Sequence, residues 1–312
     1  MSRNFEIGSR NMDVAGHMAL KRDILSYSTI ATVSYRWDQF VGYLQKQTQV
    51  RRLEQVTREV VAAYSTRVRE SHERGDLSRN TAVNYISAVN TVMKILRGDD
   101  LTRVRPRLDA GLPSSPFGPK LNRGARYNER ACRDLTPLLS TLTKLQREFG
   151  LRFEESAKID AAAALREILA TGFLTIGLGT KAGKKRILKI RNEVRQLRAI
   201  EEAAALQNGG KSMIPETKDY KSFHSHAYYW AGVCGVRFHD ARHAYAQETY
   251  LSLAGWPPPI ALNLSRKEHI SYILKTYGVT TADYRRTDRE VRLLISRELG
   301  HERISVTRTY LG

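Results

Sequence analysis

The sequence closes with the stretch Gly300-His301-Glu302-Arg303-Ile304-Ser305-Val306-Thr307-Arg308-Thr309-Tyr310-Leu311-Gly312. Taken alone, Tyr310 is most simply a half-buried packing residue whose hydroxyl finds a partner. Three features upstream argue for more than packing. His301 follows Leu299-Gly300 and precedes the tyrosine, and two further clusters read His239-Asp240-Ala241-Arg242-His243 and Phe149-Gly150-Leu151-Arg152-Phe153-Glu154-Glu155.

These clusters are, in order, an arginine box, a His-x-x-Arg box and a Leu-Gly-His…Tyr box. Together they resemble the tyrosine recombinase (integrase) family, and they span Arg152 to Tyr310. Between the first two boxes, Gly179-Thr180-Lys181-Ala182-Gly183-Lys184-Lys185-Arg186 resembles the hairpin turn that carries the family's lysine. The order of the boxes and the spacing from His301 to Tyr310 are the specific part of this resemblance, since any single box is a weak signal.

The resemblance implies a role for each of six residues. Tyr310 would be the nucleophile that forms a 3′-phosphotyrosine, and His239 would assist its deprotonation. Arg152 and Arg242 would hold the non-bridging phosphate oxygens, His301 would donate a hydrogen bond to the phosphate, and Lys181 would protonate the leaving 5′ oxygen. Two further lysines of the same turn, Lys184 and Lys185, remain alternatives to Lys181.

Phosphodiester cleavage by a side-chain nucleophile needs fixed positive charge on the phosphate oxygens. Arginine meets that need because its planar guanidinium is always charged and donates two parallel hydrogen bonds. The sequence has no cluster of metal ligands, so we expect neither a metal nor another cofactor. Arg242→Ala is expected to abolish cleavage and leave DNA binding nearly unchanged. Glu155 is interpreted as structural support, and His243 as either a site contact or a packing residue.

Composition agrees with a nucleic-acid partner. The chain has 312 residues, with 51 Lys+Arg against 32 Asp+Glu and a formal net charge of +19. Such an excess suits a polyanion, because phosphate contacts release counterions. The 41% hydrophobic content is typical of a folded chain. Two distant cysteines, Cys132 and Cys234, and no long apolar run predict a cytoplasmic, nucleoid-associated protein with no membrane partner.

The expected fold class is mainly α with a small β-sheet (α+β), in which a helical core-binding domain precedes a catalytic domain. We expect an N-terminal arm over 1–30 that is partly helical around Ala15 to Leu25, a helical DNA-binding domain over 31–102, a basic Pro/Gly linker over 103–126, and a catalytic domain over 127–312. Helical periodicity predicts helices over 32–47, 53–74 and from 78–81 to Gly98. Exposed basic residues on these helices are candidates for phosphate contact: Arg36, Lys46, Arg51, Arg52, Arg67, Arg79 and Lys94.

In the catalytic part, helices are predicted over 135–148, 153–158, 191–207, 220–230 and 240–253, and strands over 173–176 and 187–190. The sequence departs from the family's pattern twice. A segment of about 255–286 lies between the second and third boxes as an apparent insert that contacts DNA, contacts another protomer or is a surface excursion. The sequence also ends two residues after Tyr310, whereas relatives commonly carry a further segment that docks on a neighbouring protomer.

The expected function is that of a site-specific recombinase or integrase of a mobile element, working without metal or ATP. It would act on double-stranded DNA as a homotetramer on two sites, with room for accessory DNA-bending or directionality factors. A resolvase or a type IB topoisomerase would use the same chemistry. A DNA-binding protein that kept the fold and lost catalysis is the rival from another class, and a basic RNA-binding protein is the third reading.

Overall fold

A computed structural model describes residues 3–24, 27–114 and 121–312. The chain divides into two compact units, Met1–Phe117 and Gly118–Gly312. Within the described residues the chain is mostly helical, and its sheet has two strands. The predicted fold class, mainly α with a small β-sheet, is confirmed.

The N-terminal unit is a helical cluster around a single aromatic core. Trp37 and Phe40 are fully buried at its centre, with ring centroids 5.4 Å apart. The indole Nε1 of Trp37 donates to the carbonyl oxygen of Met12 at 3.0 Å. A Cβ at Gly16 would come within 2.1 Å of the same indole, so only glycine fits there. The helices are α1 (Met12–Asp23), α2 (Tyr27–Gln47), α3 (Arg58–Glu73) and α4 (Arg79–Arg97).

Residues at both ends of this unit pack into its core. The first helix, which includes part of the segment predicted as a partly helical arm, buries Ala15, Ala19 and Leu20 there. The predicted linker begins with residues that also pack there, since Val104 and Leu112 are buried in the same core. Residues 115–120, which include Pro116, Gly118 and Pro119 of the predicted Pro/Gly stretch, lie outside the described residues. The sequence predicted only part of the first helix because three of its five buried residues, Ala15, Gly16 and Ala19, are small and give a weak apolar period.

The C-terminal unit contains the rest of the helices and the sheet. They are α5 (Glu129–Arg133), α6 (Pro137–Phe149), α7 (Phe153–Lys158), α8 (Ala161–Thr171), β1 (Phe173–Ile176), β2 (Arg186–Lys189), α9 (Glu193–Gln207), α10 (Tyr220–Val233), α11 (Phe238–Ala254), α12 (Arg266–Tyr277), α13 (Thr281–Glu298) and α14 (Arg308–Leu311). No helix of the described ranges is long and apolar enough to cross a bilayer.

The two strands form an antiparallel hairpin in which Leu174 pairs with Leu188 and Ile176 with Arg186. Leu174 and Leu188 are buried on one face, as the two-residue period of a strand requires. The sequence prediction gave the first strand its observed bounds and set the second strand one residue late. The turn between them holds a 3-10 segment, Lys181–Gly183.

The long helix α11 runs through the C-terminal unit and packs against α6, α13 and the segment 124–126. Gly150 ends α6 in the left-handed conformation, with φ of +61°. A Cβ at Gly150 would come within 2.5 Å of the ring of Tyr245 on α11, so the turn fits only glycine. This close approach brings Arg152, two residues later, beside α11.

The predicted insert is a packed part of the C-terminal unit. It contains α12 and the start of α13, and Trp256, Ile273 and Tyr284 are buried in its core. His269 is also buried, and its ring nitrogens lie 2.8 Å from the Tyr284 hydroxyl and 2.8 Å from the Pro257 carbonyl oxygen. Because these residues are buried in a core, the segment is not merely a surface excursion, which was one of the three alternatives for it.

Candidate active site

Tyr310 lies on the short helix α14, and its ring is turned into the protein. The residue is only 5% exposed, and Leu311 beside it is fully buried. Gln247 on α11 donates from Nε2 to the carbonyl oxygen of Tyr310 at 3.2 Å. The tyrosine is therefore held against α11 of its own chain, and its hydroxyl faces the buried end of Arg242, whose Nε is 3.4 Å away.

Three histidines surround the ring of Tyr310. The ring centroids of His243, His239 and His301 lie 4.5, 6.1 and 6.3 Å from that of the tyrosine. Burial, followed by the positive charges of Arg242 and Arg123, lowers the pKa of His239 to about 4. At neutral pH this imidazole is uncharged and able to accept a proton.

His301 is partly buried, whereas His243 is fully buried. Burial, and then the charges of Arg242 and other nearby cations, lowers the pKa of His301 to about 4. The Nε2 of His301 is shielded and has no hydrogen-bond partner in the described structure. His243 is fully buried, and neither of its ring nitrogens has a hydrogen-bond partner there. Of the two readings for His243, a buried neighbour of the tyrosine ring is what the geometry supports.

Arg242 is completely buried, and its guanidinium joins three parts of the unit. It donates to the carbonyl oxygens of Gly150 and Leu299 as well as facing Tyr310. Burial lowers its pKa to about 10, so the group stays charged at neutral pH. Arg242 therefore fixes the relative positions of the arginine box, the His-x-x-Arg helix and the tyrosine.

Arg152 is the more accessible of the two predicted arginines, with 23% of its side chain exposed. Its Nη1 donates to Glu155 at 2.6 Å, and its Nη2 donates to the carbonyl oxygen of Leu299 at 3.1 Å. Since Arg242 donates to the same carbonyl, the two guanidinium groups converge just before Gly300 and His301. The boxes that lie far apart in the sequence therefore meet in space.

Glu155 and Arg186 complete the site, and sequence reasoning did not include Arg186. The two form a buried pair in which Arg186 donates from Nη1 and Nη2 to the carboxylate at 2.7 Å each. Arg186 also donates from Nε to the carbonyl oxygen of Glu298 at 2.5 Å. The sequence signal that could have identified Arg186 is its position two residues before Leu188. Alternate residues of a strand lie on the same face, so Arg186 lies on the buried face of β2 with Leu188.

Glu155 carries the negative charge at the centre of three guanidinium groups. Burial raises the pKa of its carboxyl, but the hydrogen bonds and charge of Arg186, with those of Arg152 and Arg242, outweigh this and lower the pKa to about 2. Arg242 Nη1 lies 3.7 Å from Glu155. Glu155 therefore forms hydrogen bonds with Arg186 and Arg152, while Arg242 is the least tightly held of the three guanidinium groups.

The three candidate lysines of the hairpin turn have different surroundings. Lys184 pairs with Glu302 at 2.7 Å. The side chain of Lys185 lies against Gly177, at 3.6 Å from where a Cβ would be. Lys181 is exposed, and its charge is among those that lower the pKa of His301, after burial and the arginines. The positive charge of Lys181 therefore acts on His301 of the histidine cluster.

The start of α11 is fixed by a further ion pair. Asp240 is 3% exposed and accepts from Nε of Arg123 at 2.8 Å. This pair joins the segment before α5 to the helix that carries His239 and Arg242. No group of three or more His, Cys, Asp or Glu that suits a metal ion occurs within residues 3–24, 27–114 and 121–312.

The basic residues predicted on the N-terminal unit fall into two groups. Arg51, Arg79 and Lys94 are engaged locally: Arg51 donates to backbone carbonyls of residues 48 and 50, Arg79 donates to Pro113, and Lys94 pairs with Asp100. The others form no ion pair within the described part of the chain, and they are Arg36, Lys46, Arg52 and Arg67. Lys46 and Arg67 line the same groove of about 460 Å³ between α2 and α3.

The buried His243 predicts acid sensitivity. Burial, and then the nearby His239 and Arg123, lowers the pKa of His243 to about 3. The unfolded chain binds this proton near pH 6.5 and the folded chain does not, so the free energy of unfolding falls as the pH drops below about 6.5. At pH 5.5 this histidine contributes a loss of about 1 kcal/mol relative to pH 7.

Urea denaturation at pH 7 and pH 5.5 measures this loss. In His243→Asn the decrease in unfolding free energy between the two pH values is expected to be smaller than in the wild type by about 1 kcal/mol. His226 is exposed on α10, and His226→Asn is the matched control with the wild-type decrease. Identical decreases in all three proteins would contradict a neutral, buried His243. Glu155 does not contribute in this range, because its pKa change acts below about pH 4.5.

The Arg186–Glu155 pair predicts a compensating double substitution. Arg186→Met leaves the Glu155 charge buried without its main partner and is expected to cost about 3 kcal/mol of unfolding free energy. Adding Glu155→Gln removes that charge and is expected to restore a large part of the loss. The free energies of unfolding of the two single variants and the double variant give the coupling between the residues.

An exposed ion pair of the same unit supplies the control for this cycle. Arg198 has 81% of its side chain exposed and lies 3.4 Å from Glu202, so Arg198→Met is expected to cost less than about 0.5 kcal/mol. A double variant no more stable than Arg186→Met would show that Arg186 acts through packing rather than through the Glu155 charge.

Part of the C-terminal unit matches a known protein family, and the match covers several residues of the candidate site. Residues 129–248, which include Arg152, Arg186 and Arg242, match the sequence model of a family described as Integrase. No curated protein matches the chain.

Two solved structures share the fold over nearly the whole chain. One is a λ integrase dimer bound to a COC′ core site, with a TM-score of 0.56 and 13% identity over 96% of this chain and 76% of that chain. The other is λ integrase(75-356), also a dimer bound to a COC′ core site, with a TM-score of 0.57 and 13% identity over 95% of this chain and 92% of that chain. At this identity the likeness shows the fold alone. Together with the family match over residues 129–248, it confirms the resemblance to the tyrosine recombinase (integrase) family that the sequence motifs indicate.

Proposed function

We propose that the protein is a site-specific DNA recombinase that cuts and rejoins duplex DNA through a covalent 3′-phosphotyrosine intermediate. The observation that carries the proposal is the convergence of one buried guanidinium and three neutral histidines around Tyr310. A packing tyrosine needs no such surroundings. A nucleophilic tyrosine needs a proton acceptor and positive charge beside its oxygen.

In the first step, the Tyr310 oxygen attacks the scissile phosphorus and its proton moves to His239. Two features support this assignment. The lowered pKa of His239 keeps its imidazole neutral and ready to accept a proton at pH 7. The Arg242 Nε, 3.4 Å from the hydroxyl, favours the negative charge that develops on the oxygen.

The phosphate would be held by Arg152 and Arg242 through its non-bridging oxygens. Arg152 is partly exposed and is therefore accessible to a duplex, whereas Arg242 faces the site from its buried side. His301 would add a hydrogen bond from its neutral ring, whose Nε2 is otherwise without a partner. Fixed donors of this kind stabilise the charge that develops in the transition state.

The leaving 5′ oxygen needs a proton, for which Lys181 is the preferred donor. Its charge is felt at His301, whereas the ammonium of Lys184 is paired with Glu302. As the tyrosine–phosphorus bond forms, the bond from phosphorus to the 5′ oxygen breaks, and that oxygen takes the proton. A 5′ hydroxyl of another strand then attacks the phosphotyrosine and releases the tyrosine. The number of phosphodiester bonds is conserved, so no ATP is needed.

Duplex DNA is the proposed partner, and its recognition would involve both units. The matched λ integrase structures are dimers bound to a core site, which supports DNA binding and oligomerisation for this chain. We propose a homotetramer on two DNA sites, with accessory DNA-bending factors where the element requires them. The N-terminal unit would be the core-binding domain, and its unpaired Arg36, Lys46, Arg52 and Arg67 would contact phosphates.

Covalent trapping tests this function. The protein is mixed with a pool of duplexes that carry a nick at varied positions, so that cleavage next to the nick releases a short strand and prevents rejoining. We expect a DNA adduct that survives denaturation, with the attached peptide containing residues 309–311. Sequencing of the trapped DNA then identifies the site. Tight binding without any adduct across the pool would favour a DNA-binding protein that has lost catalysis.

A further inference from the structure

A second cavity in the C-terminal unit is lined by arginines and does not belong to the Tyr310 site. Its volume is about 700 Å³, and helices α12 and α13 and the segment 304–312 form its walls. Arg308 and Tyr310 are two residues apart on α14, so their side chains point in directions that differ by about 200°. Because Arg308 lines the cavity, the cavity lies on the side of α14 opposite the ring of Tyr310.

Most of the charged residues of the cavity wall are positive. The wall has one acidic residue, Asp288, and five arginines, which are Arg266, Arg285, Arg289, Arg292 and Arg308. Asp288 is already engaged, since it accepts from the Tyr250 hydroxyl at 2.8 Å and from Nε of Arg292 at 2.7 Å. Its second carboxylate oxygen lies 3.5 Å from Nη2 of Arg266, so this one carboxylate is shared between Arg292 and Arg266 and the wall keeps a net positive charge.

Arg292 supplies a second, independent observation. It is only 4% exposed, and its Nη2 is buried with no hydrogen-bond partner in the described structure. Its Nη1 donates to the carbonyl oxygen of Gly312 at 3.1 Å. A buried guanidinium N–H without an acceptor costs free energy, and an oxyanion in the cavity would supply the acceptor.

The exposed arginines of α13 point to the same kind of ligand. Arg285, Arg289 and Arg292 are spaced four and three residues apart and therefore share one face of the helix. Arg285 and Arg289 form no ion pair within the described residues. Like charges at this spacing repel one another, and a bound anion removes that repulsion.

We propose that this cavity binds a small molecule that carries phosphate groups. Guanidinium groups match phosphate with paired hydrogen bonds, and the wall uses arginine with no lysine. The volume lies within the range of small-molecule sites, about 300–1,000 Å³. Ile270, Tyr284 and Ile304 line the remaining wall and would contact the part of the ligand that is not phosphate.

Occupancy of the cavity would also affect the helix that carries the tyrosine. Ser305, Thr307 and Arg308 line the cavity and lie two to five residues before Tyr310. A phosphate held between Arg292 and Arg308 would connect α13 to α14. The ligand would therefore slow local opening of residues 304–311.

Calorimetric titration of the full chain tests the site, with pyrophosphate and adenosine triphosphate as probes at constant ionic strength and without DNA. We expect saturable binding of one molecule per chain, with a dissociation constant below about 1 mM. The exposed Arg289 allows a variant that should fold, and Arg289→Gln is expected to weaken binding about fivefold or more. Arg198→Gln, on the exposed face of α9, is the control with unchanged binding.

Several outcomes would overturn the proposal. These are no saturable binding up to about 10 mM probe, an equal weakening in the two variants, or tighter binding of hexaglutamate than of either phosphate probe. The last outcome would indicate an acidic protein segment instead. Amide hydrogen exchange tests the connection to α14: pyrophosphate should slow exchange in 304–311 in the wild type and not in Arg289→Gln. Since no step involves DNA, a negative result leaves the recombinase proposal untouched, and the reverse also holds.

Discussion

Replacing Tyr310 with phenylalanine is expected to eliminate the covalent DNA adduct and to leave the fold intact. The substitution removes one oxygen, whose contact in the structure is the 3.4 Å approach of Arg242 Nε. The ring stays buried beside His243, and Leu311 keeps α14 anchored. Because the nucleophile is absent, cleavage should fall to background, a loss of at least about 10⁴-fold.

The measurement is a comparison of adduct formation, DNA affinity and thermal unfolding for the wild type and Tyr310→Phe. Tyr229 is 66% exposed on α10, and Tyr229→Phe serves as the control that should form adduct at the wild-type rate. Residual adduct in Tyr310→Phe would assign the nucleophile to another residue. Loss of DNA affinity in step with loss of adduct would point to a structural role for the hydroxyl.

Local sequence patterns predicted most helices of the fold within a few residues. Periodic apolar positions mark α2, α6 and α9, and glycines end several helices where the chain turns left-handed, as at Gly98 and Gly150. The patterns gave only part of α1 and missed α8, whose buried faces both include alanines. No helix was predicted at α12 or α13, where arginine-rich surfaces dilute a narrow apolar stripe. The segment 255–286 was interpreted as an insert because Arg242 and His301 lie further apart in sequence than is usual between these boxes.

Six candidate residues were named from the resemblance to the family, because its boxes are short and ordered. The convergence of Arg152 and Arg242 could not be derived, since it depends on the carbonyl oxygens of Gly150 and Leu299, which no side-chain pattern marks. Arg186 was missed for a related reason. Among several basic residues of one hairpin turn, only the pairing register shows that this one faces Glu155.

Arg242→Ala illustrates how the structure changes an expectation from the sequence. A side chain that only held the phosphate would be removable, with loss of cleavage and retention of binding. Arg242 is instead completely buried and donates to two backbone carbonyls of separate segments. Removing it takes the guanidinium donor away from the Gly150 carbonyl oxygen, removes one of the two donors to the Leu299 carbonyl oxygen and opens a cavity. We expect this to cost about 3–5 kcal/mol of unfolding free energy. The alanine variant should therefore lose fold and activity together.

The charge-conserving Arg242→Lys separates the two roles of this residue. A lysine keeps the positive charge but has one donor group, so it cannot reach Gly150, Leu299 and Tyr310 at once. We expect it to retain more stability than the alanine variant and to lose about 10²–10³-fold in cleavage rate. Arg152→Lys is the matched comparison, because Arg152 is partly exposed and its replacement should cost less stability. Urea denaturation and single-turnover adduct formation measure both quantities. Wild-type cleavage by Arg242→Lys would show that charge alone suffices and that the bridging geometry of the guanidinium is dispensable.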